Sequence, residues 1–164
     1  MFCFANAYYQ KKDYFRAEMA LRATLERQGA SPSDLPVRRN LIWLFKEQDL
    51  FDDARRVSED DDERADIETR RHEWLLRIGD APAYAAAQVA AARDAYAQGR
   101  LPEARYGFKR AIVAAPDLAE AYVGLARAAR DLQLRPEACE AMTQAAALRG
   151  DVPEYAAERT ALCP

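Results

Sequence analysis

YAAAQVAAARDAYAQGRLPEARYGFKRAIVAAPD, at residues 84–117, is followed at once by a similar stretch, DLAEAYVGLARAARDLQLRPEACEAMTQAAALRGD, at residues 117–151. Aligning Pro102 with Pro136 sets the offset between the two copies. At that offset other apolar residues also fall together: Phe108 on Met142, Ala111 on Ala145, Ala92 on Ala126 and Ala91 on Leu125. A fixed period of about 20 to 50 residues is typical of a solenoid, in which each unit buries its apolar face against its neighbours.

The repeated residues resemble the tetratricopeptide repeat (TPR), whose pattern W-x2-L-G-x2-Y…A-x3-F…P recurs about every 34 residues, the same offset as that from Pro102 to Pro136. In the second copy the pattern is carried by Tyr122, Leu125, Ala126, Ala138 and Met142. In the first copy it is carried by Ala104, Phe108, Ala111 and Pro116, and Gln88 stands at the place of the first aromatic residue. The small residues would let two helices of a hairpin approach closely, and the large ones would fill the space beside them.

Earlier parts of the chain carry looser copies of this pattern. Ala17 and Ala54 take the small position of two further repeats, slightly more than one period apart, and Ala104 follows Ala54 only after a much longer interval. The longer interval contains the acidic run at residues 58–63 and then RADIETRRHEWLLRIGD. Ile67, Trp74, Leu75 and Ile78 could share one helix face there, with Gly79 ending the helix.

We therefore predict an all-α protein, a right-handed superhelical α-solenoid of about four TPR-like hairpins and a C-terminal helix. The predicted hairpins span residues 2–28, 35–58, 81–115 and 118–148, with an irregular helical insertion at 59–80 and a terminal helix at 152–162. All of these would belong to a single domain, 1–164. Because the first repeat begins in mid-helix, we expect the chain to be a piece of a longer array.

The acidic run at residues 58–63 has two interpretations. Its carboxylates could lie in a solvated turn at the N-terminus of a helix, where the helix dipole favours negative charge. They could instead bind a basic partner. The first interpretation is favoured because such a run is most often solvated.

Composition favours a soluble helical protein over several other classes. Half the residues are hydrophobic and 31% are charged, and 35 alanines stand against 6 glycines. The net charge of −3 argues against a general nucleic-acid binder. No apolar run approaches the roughly 18 residues of a membrane span. The compartment stays open between cytoplasm and periplasm.

The three cysteines, Cys3, Cys139 and Cys163, have no metal-binding or CxxC spacing. An odd number in a helical chain predicts free thiols. A Cys139–Cys163 bridge between neighbouring helices is the alternative, if the compartment is oxidising.

The sequence offers little for catalysis. His72 is the single histidine, and the serines lie in no nucleophile motif. Asp60, Asp61 and Asp62 lack the spacing of a calcium-binding loop, and there is no glycine-rich phosphate loop. We expect a protein that is not an enzyme and that carries no cofactor and no metal.

The resemblance implies that the first helix of each hairpin lines a concave face that binds a partner. On that geometry the partner-binding candidates are Asn6, Tyr9, Arg39, Trp43, Lys46, Arg93, Tyr96, Arg127 and Arg130, with Val89 and Val123 beside them. Arg93 and Arg127 are one repeat apart, so they should be neighbours along this face. The expected ligand is a protein or peptide segment with carboxylates, which arginine can bind bidentately. The alternative is that each arginine pairs with an acidic residue of the next repeat.

The resemblance does not extend to the carboxylate clamp by which some TPR proteins bind chaperone C-termini. Asn6 and Asn40 fit that clamp, but Phe2, Ala86 and Ala90 stand where basic residues are required. We therefore expect a protein–protein interaction scaffold with another ligand. The alternatives are a periplasmic TPR region of a bacterial exopolysaccharide export protein, which recruits a polysaccharide-modifying enzyme, and a structural spacer.

Overall fold

A computed structural model describes residues 2–28 and 35–163, in which helices are joined by short turns. The helices are α1 (Phe2–Gln10), α2 (Tyr14–Gln28), α3 (Leu35–Glu47), α4 (Phe51–Val57), α5 (Asp61–Ile78), α6 (Ala81–Ala97), α7 (Leu101–Ala114), α8 (Ala119–Asp131), α9 (Arg135–Leu148) and α10 (Pro153–Leu162). The all-α class of helix hairpins predicted from the repeat is confirmed. None of the helices in the described ranges is long and apolar enough to cross a membrane.

The contacts divide the chain into two compact units. Unit 1 is Met1–Trp74 and unit 2 is Leu75–Pro164. In unit 1, α1 packs on α2, α2 on α3 and α3 on α4. In unit 2, successive helices from α6 to α10 pack on one another, and α6 also contacts α8. Each unit is therefore built from hairpins that stack in chain order.

The same type of turn joins the two helices in each of four hairpins. The turn residue has a positive φ in each: Lys12 (59°), Asp49 (58°), Gly99 (74°) and Gln133 (64°). The next residue donates its N–H to a carbonyl five residues back, as Leu134 N does to Ala129 O at 2.8 Å. This left-handed cap satisfies carbonyls that the helix end leaves open. The turn residues are separated by the same intervals as the small positions of the four repeats.

Small residues bring paired helices together. Ala17, Ala54, Ala104 and Ala138, the small positions of the four repeats, are each 0% exposed. At Gly107 the approach is closer still, because an added Cβ would lie 2.9 Å from Cβ of its neighbour on α6. The alanine-rich pattern therefore sets the spacing within hairpins, and large apolar residues fill the remaining space. These fillers are Leu41, Leu44, Phe45 and Leu50 in unit 1, and Phe108, Ile112, Leu125 and Met142 in unit 2.

The acidic run at residues 58–63 begins helix α5. Asp60 caps the helix by accepting the N–H of Glu63 at 2.9 Å, and Ser58 Oγ donates to the Glu63 carboxylate at 2.9 Å. Three acidic residues then lie in the first turn, where the helix dipole stabilises them. Ile67 and Trp74 are buried, and Gly79 follows the helix with a φ of +71°. The acidic run therefore forms the N-terminus of a helix, as the first interpretation predicts.

A buried ion cluster joins α7 to α9. Arg105 is only 1% exposed, and its Nε and Nη2 donate to the two Glu137 oxygens at 2.6 and 3.0 Å. Lys109 also pairs with Glu137. Burial opposes ionisation of this carboxyl, but Lys109 and Arg105 together hold the pKa of Glu137 below its ordinary value.

Cys139 on α9 and Cys163, directly after α10, form a disulfide with a Cα–Cα distance of 5.0 Å. The prediction of free thiols is therefore wrong for these two residues. The short turn between α9 and α10 folds the chain back, which brings the end of α10 beside the start of α9. The spacing of 24 residues along the chain does not reveal that proximity. The side chain of Cys3 lies outside the described part.

Candidate protein-binding groove

A groove of about 250 Å³ lies within unit 2 and contains several of the predicted binding residues. Helices α6, α8 and α10 provide its walls, and α7 contributes to its floor. Its lining residues are Arg93, Tyr96, Phe108, Glu120, Val123, Gly124, Arg127 and Tyr155. We call this the unit 2 groove. Arg93, Tyr96 and Arg127 are thus brought together, as neighbours along one surface.

The floor of the unit 2 groove is apolar because α8 passes close over Phe108. A Cβ built on Gly124 would overlap the Phe108 ring, so only glycine allows the helix to lie there. Val123 beside it is also buried. A partner could therefore place an apolar side chain between the helices without displacing a buried charge.

Ion pairs cross the groove from helix to helix. Arg93 Nη2 lies 2.7 Å from Glu120 on α8, and Arg127 binds both oxygens of Glu158 on α10, with its Nη2 donor at 2.6 Å. The hydrogen bond that Arg127 donates to Glu158 raises the pKa of Arg127. Each of these arginines therefore carries its own carboxylate. Pairing with an acidic residue of the next repeat, the alternative expected from the sequence, is therefore observed for both arginines.

A third link joins Tyr96 to the end of α8. Tyr96 Oη donates to Asp131, which also accepts Arg130 Nε at 2.8 Å. The hydrogen bonds from Arg130 and Tyr96 lower the pKa of Asp131, and the same bond to Asp131 raises the pKa of Tyr96. Arg130 is thus part of a network at the groove's edge and is not one of the lining residues.

The predicted residues of unit 1 divide into two groups. Asn6, Tyr9 and Trp43 line a small pocket of about 40 Å³. The rings of Tyr9 and Trp43 are 4.4 Å apart at 53°, and Trp43 remains 43% exposed. We call this the unit 1 pocket. Asn40 lines it as well.

Arg39 and Lys46 do not line the unit 1 pocket. Arg39 is exposed on α3. Lys46 Nζ instead binds Asp66 on α5 at 2.8 Å, and this hydrogen bond lowers the pKa of Asp66. Lys46 therefore holds α5 to α3, a role that the insertion creates and the repeat pattern could not indicate.

Four residues of the groove or its ion pairs were not predicted from the sequence: Glu120, Gly124, Tyr155 and Glu158. Glu120, Gly124 and Arg127 are spaced by three to four residues, so they share one face of α8, and this signal was available. Glu158 carried no such signal because its partner lies on another helix. No group of histidine, cysteine and acidic residues in the described ranges could hold a metal ion.

The chain is similar in structure to proteins of known structure. No protein-family model matches the chain, and no curated protein matches it. Among solved structures, the chain is similar to the TPR2AB domain of yeast Sti1 in complex with pHSP90. The sequence identity is 18% and the TM-score 0.46, over 96% of this chain and 67% of the other. The assignment to helix hairpins stands on the helix order and shared turns described above.

Proposed function

We propose that this protein is a non-catalytic interaction scaffold that binds a segment of a partner protein in the unit 2 groove and so helps to assemble a complex. The observation that supports this most directly is the groove itself. It combines an apolar floor, two tyrosines and two exposed arginine–carboxylate pairs in one concave surface. Aromatic and arginine side chains are the groups that most often dominate protein interfaces.

The lining chemistry indicates the kind of segment that fits. An aliphatic or aromatic side chain would rest on Val123 and Phe108, between Tyr96 and Tyr155. Carboxylates of the ligand would replace Glu120 or Glu158 on the arginines, and the displaced glutamate would be hydrated instead, because both side chains are partly exposed. Such exchange fixes the register of the ligand more than it adds affinity. We therefore expect a ligand segment in which an aliphatic or aromatic residue is flanked by acidic residues.

The unit 1 pocket is a candidate second contact. The Tyr9–Trp43 pair offers exposed aromatic area, and Asn6 and Asn40 offer amide donors and acceptors beside it. Arg39 is exposed on the same helix as Trp43. Binding there would extend recognition to a second part of the partner.

The test is selection of peptides from a displayed random library by the wild-type protein. Selected peptides should bind wild type at least about 10-fold more tightly than Arg93→Glu/Arg127→Glu, because the variant reverses charge on both sides of the groove. The matched control is Arg16→Glu/Arg149→Glu, which makes the same charge change at two exposed arginines outside the groove. Equal binding by both double variants would show that the peptides bind outside the groove, and a library that yields no peptides would favour a structural spacer.

A second candidate is a periplasmic region of an exopolysaccharide export protein that recruits a polysaccharide-modifying enzyme. The observation in its favour is the Cys139–Cys163 disulfide, since disulfides persist in oxidising compartments such as the periplasm. A photo-crosslinking residue at Tyr96, used in living cells, should then capture such an enzyme. Capture of partners without any link to polysaccharide would favour the general scaffold.

A further inference from the structure

Helix α10 is a wall of the unit 2 groove that packs on α9, with buried Leu162 and partly buried Tyr155 against the core of unit 2. Tyr155 lines the groove, and Glu158 is the carboxylate partner of Arg127. Of the ten residues of α10, Leu162 is the buried one, at 8% exposure. A helix of this length is marginal in water without tertiary support.

The disulfide is the covalent part of that support. It links Cys163, at the end of α10, to Cys139 near the start of α9, and so closes a loop over a separation of 24 residues. Both cysteines are half-buried, so solvent reaches this part of the surface. A small dithiol could therefore attack the bond.

We propose that the Cys139–Cys163 disulfide is a redox latch on the unit 2 groove. When the bond is oxidised, α10 is held in place and the groove is complete. When it is reduced, α10 separates from α9 much more often, and Tyr155 and Glu158 leave the groove. The consequence for ligand binding rests on the proposed function, whereas the motion of α10 does not.

The chemical step is thiol–disulfide exchange with a dithiol reductant. A thiolate of the reductant attacks one sulfur, the Cys139–Cys163 bond breaks, and a mixed disulfide forms. The second thiol of the reductant resolves that intermediate. The reductant leaves as a disulfide, having given two electrons and two protons, and Cys139 and Cys163 become thiols.

The size of the effect follows from loop closure. Removing a crosslink across a loop of this length favours the open state by roughly 100-fold or somewhat more. Opening confined to α10 should therefore become that much more frequent, while α8 keeps its place in the core of unit 2. Arg127 would lose its partner on α10, and the groove would lose its tyrosine wall on that side.

Hydrogen exchange followed by mass spectrometry tests the latch directly. The wild-type protein is compared with and without dithiothreitol, and with Cys139→Ser/Cys163→Ser, whose α10 should exchange rapidly in both conditions. The amides of α10 in reduced wild type should exchange about 100-fold faster, with those of α8 unchanged. Cys3→Ser is the matched control and should behave as wild type.

Two outcomes would overturn the proposal. In the first, α10 stays protected in reduced wild type and in the double serine variant. In the second, α8 loses protection as much as α10, because the bond would then stabilise the whole unit and not the wall.

Peptides selected on oxidised protein give a separate readout, and they should bind the reduced form at least about 10-fold more weakly. If the library yields no peptides, the proposed function fails while the exchange result on α10 still decides the latch.

Discussion

The Glu137 cluster shows how one partly buried carboxylate can link two helices through two buried cations. Its pKa is below the ordinary value although burial opposes ionisation, so Lys109 and Arg105 must more than offset desolvation. We expect Glu137→Gln to lower the free energy of unfolding by about 3 kcal/mol at neutral pH, because two cations would then face a neutral amide. Urea unfolding followed by far-UV circular dichroism measures this change.

The pH dependence of that difference has a definite sign. The folded pKa lies below the unfolded one, so the stabilisation is present above the unfolded pKa of about 4.3 and is lost as the pH falls through the folded value. Wild type and Glu137→Gln should therefore converge in strong acid. Glu103→Gln changes an exposed residue of α7 and should alter the free energy of unfolding by less than about 0.5 kcal/mol. Equal losses from both variants would contradict the role assigned to the cluster.

For individual residues, the sequence identifies buried apolar positions better than buried polar ones. Phe108, Met142 and Ala138 were assigned to the core because they recur with the repeat, and all three are buried. Burial of Arg105 could not be predicted in the same way. Its partner, Glu137, lies 32 residues away on another helix, beyond the reach of any local pattern.

The hairpin turn gives a prediction at the scale of the helix pair. Gln133 has a φ of 64°, a conformation that costs a residue with a Cβ about 1 kcal/mol relative to glycine. We therefore expect Gln133→Gly to raise the free energy of unfolding by about 0.5–1 kcal/mol. Gly99→Ala, at the same place in the preceding hairpin, should lower it by a similar amount. Thermal unfolding of unit 2 measures both.

Gln98→Gly is the control for this effect. Gln98 precedes the turn residue and has a φ of −87°, where glycine removes no strain and adds freedom to the unfolded chain. It should leave stability unchanged or slightly lower. Stabilisation by Gln98→Gly equal to that by Gln133→Gly would mean that local strain is not the cause.

The spacing of the repeats predicts the positions of the turns between helices, but it does not predict the contacts that hold the terminal helix α10. The intervals between the small alanines place the four shared turns because each turn follows from the same hairpin geometry. The Cys139–Cys163 bond and the Arg127–Glu158 pair depend instead on how α10 folds back. That return occurs once in the chain, so no repeated signal indicates it.

For the molecule as a whole, the sequence predicts the all-α hairpin class because the class needs only periodic apolar faces. The repeats do not indicate that compact packing divides between Trp74 and Leu75, inside α5. The reason is that a repeat pattern indicates only the contacts between adjacent repeats. The contacts of the insertion, such as Lys46 with Asp66, arise outside that pattern.

Because the two units are each compact, we expect them to unfold separately. Both tryptophans, Trp43 and Trp74, belong to unit 1, so their fluorescence reports on that unit alone. Phe45→Ala removes a fully buried ring there and should cost about 3–5 kcal/mol, which shifts the fluorescence midpoint in urea downward. Met142→Ala should cost about 2–5 kcal/mol in unit 2 and speed hydrogen exchange in α7 to α9, without moving the fluorescence midpoint. If Met142→Ala lowers that midpoint as much as Phe45→Ala does, the two cores unfold as one, and the stability of the groove must be attributed to the whole chain.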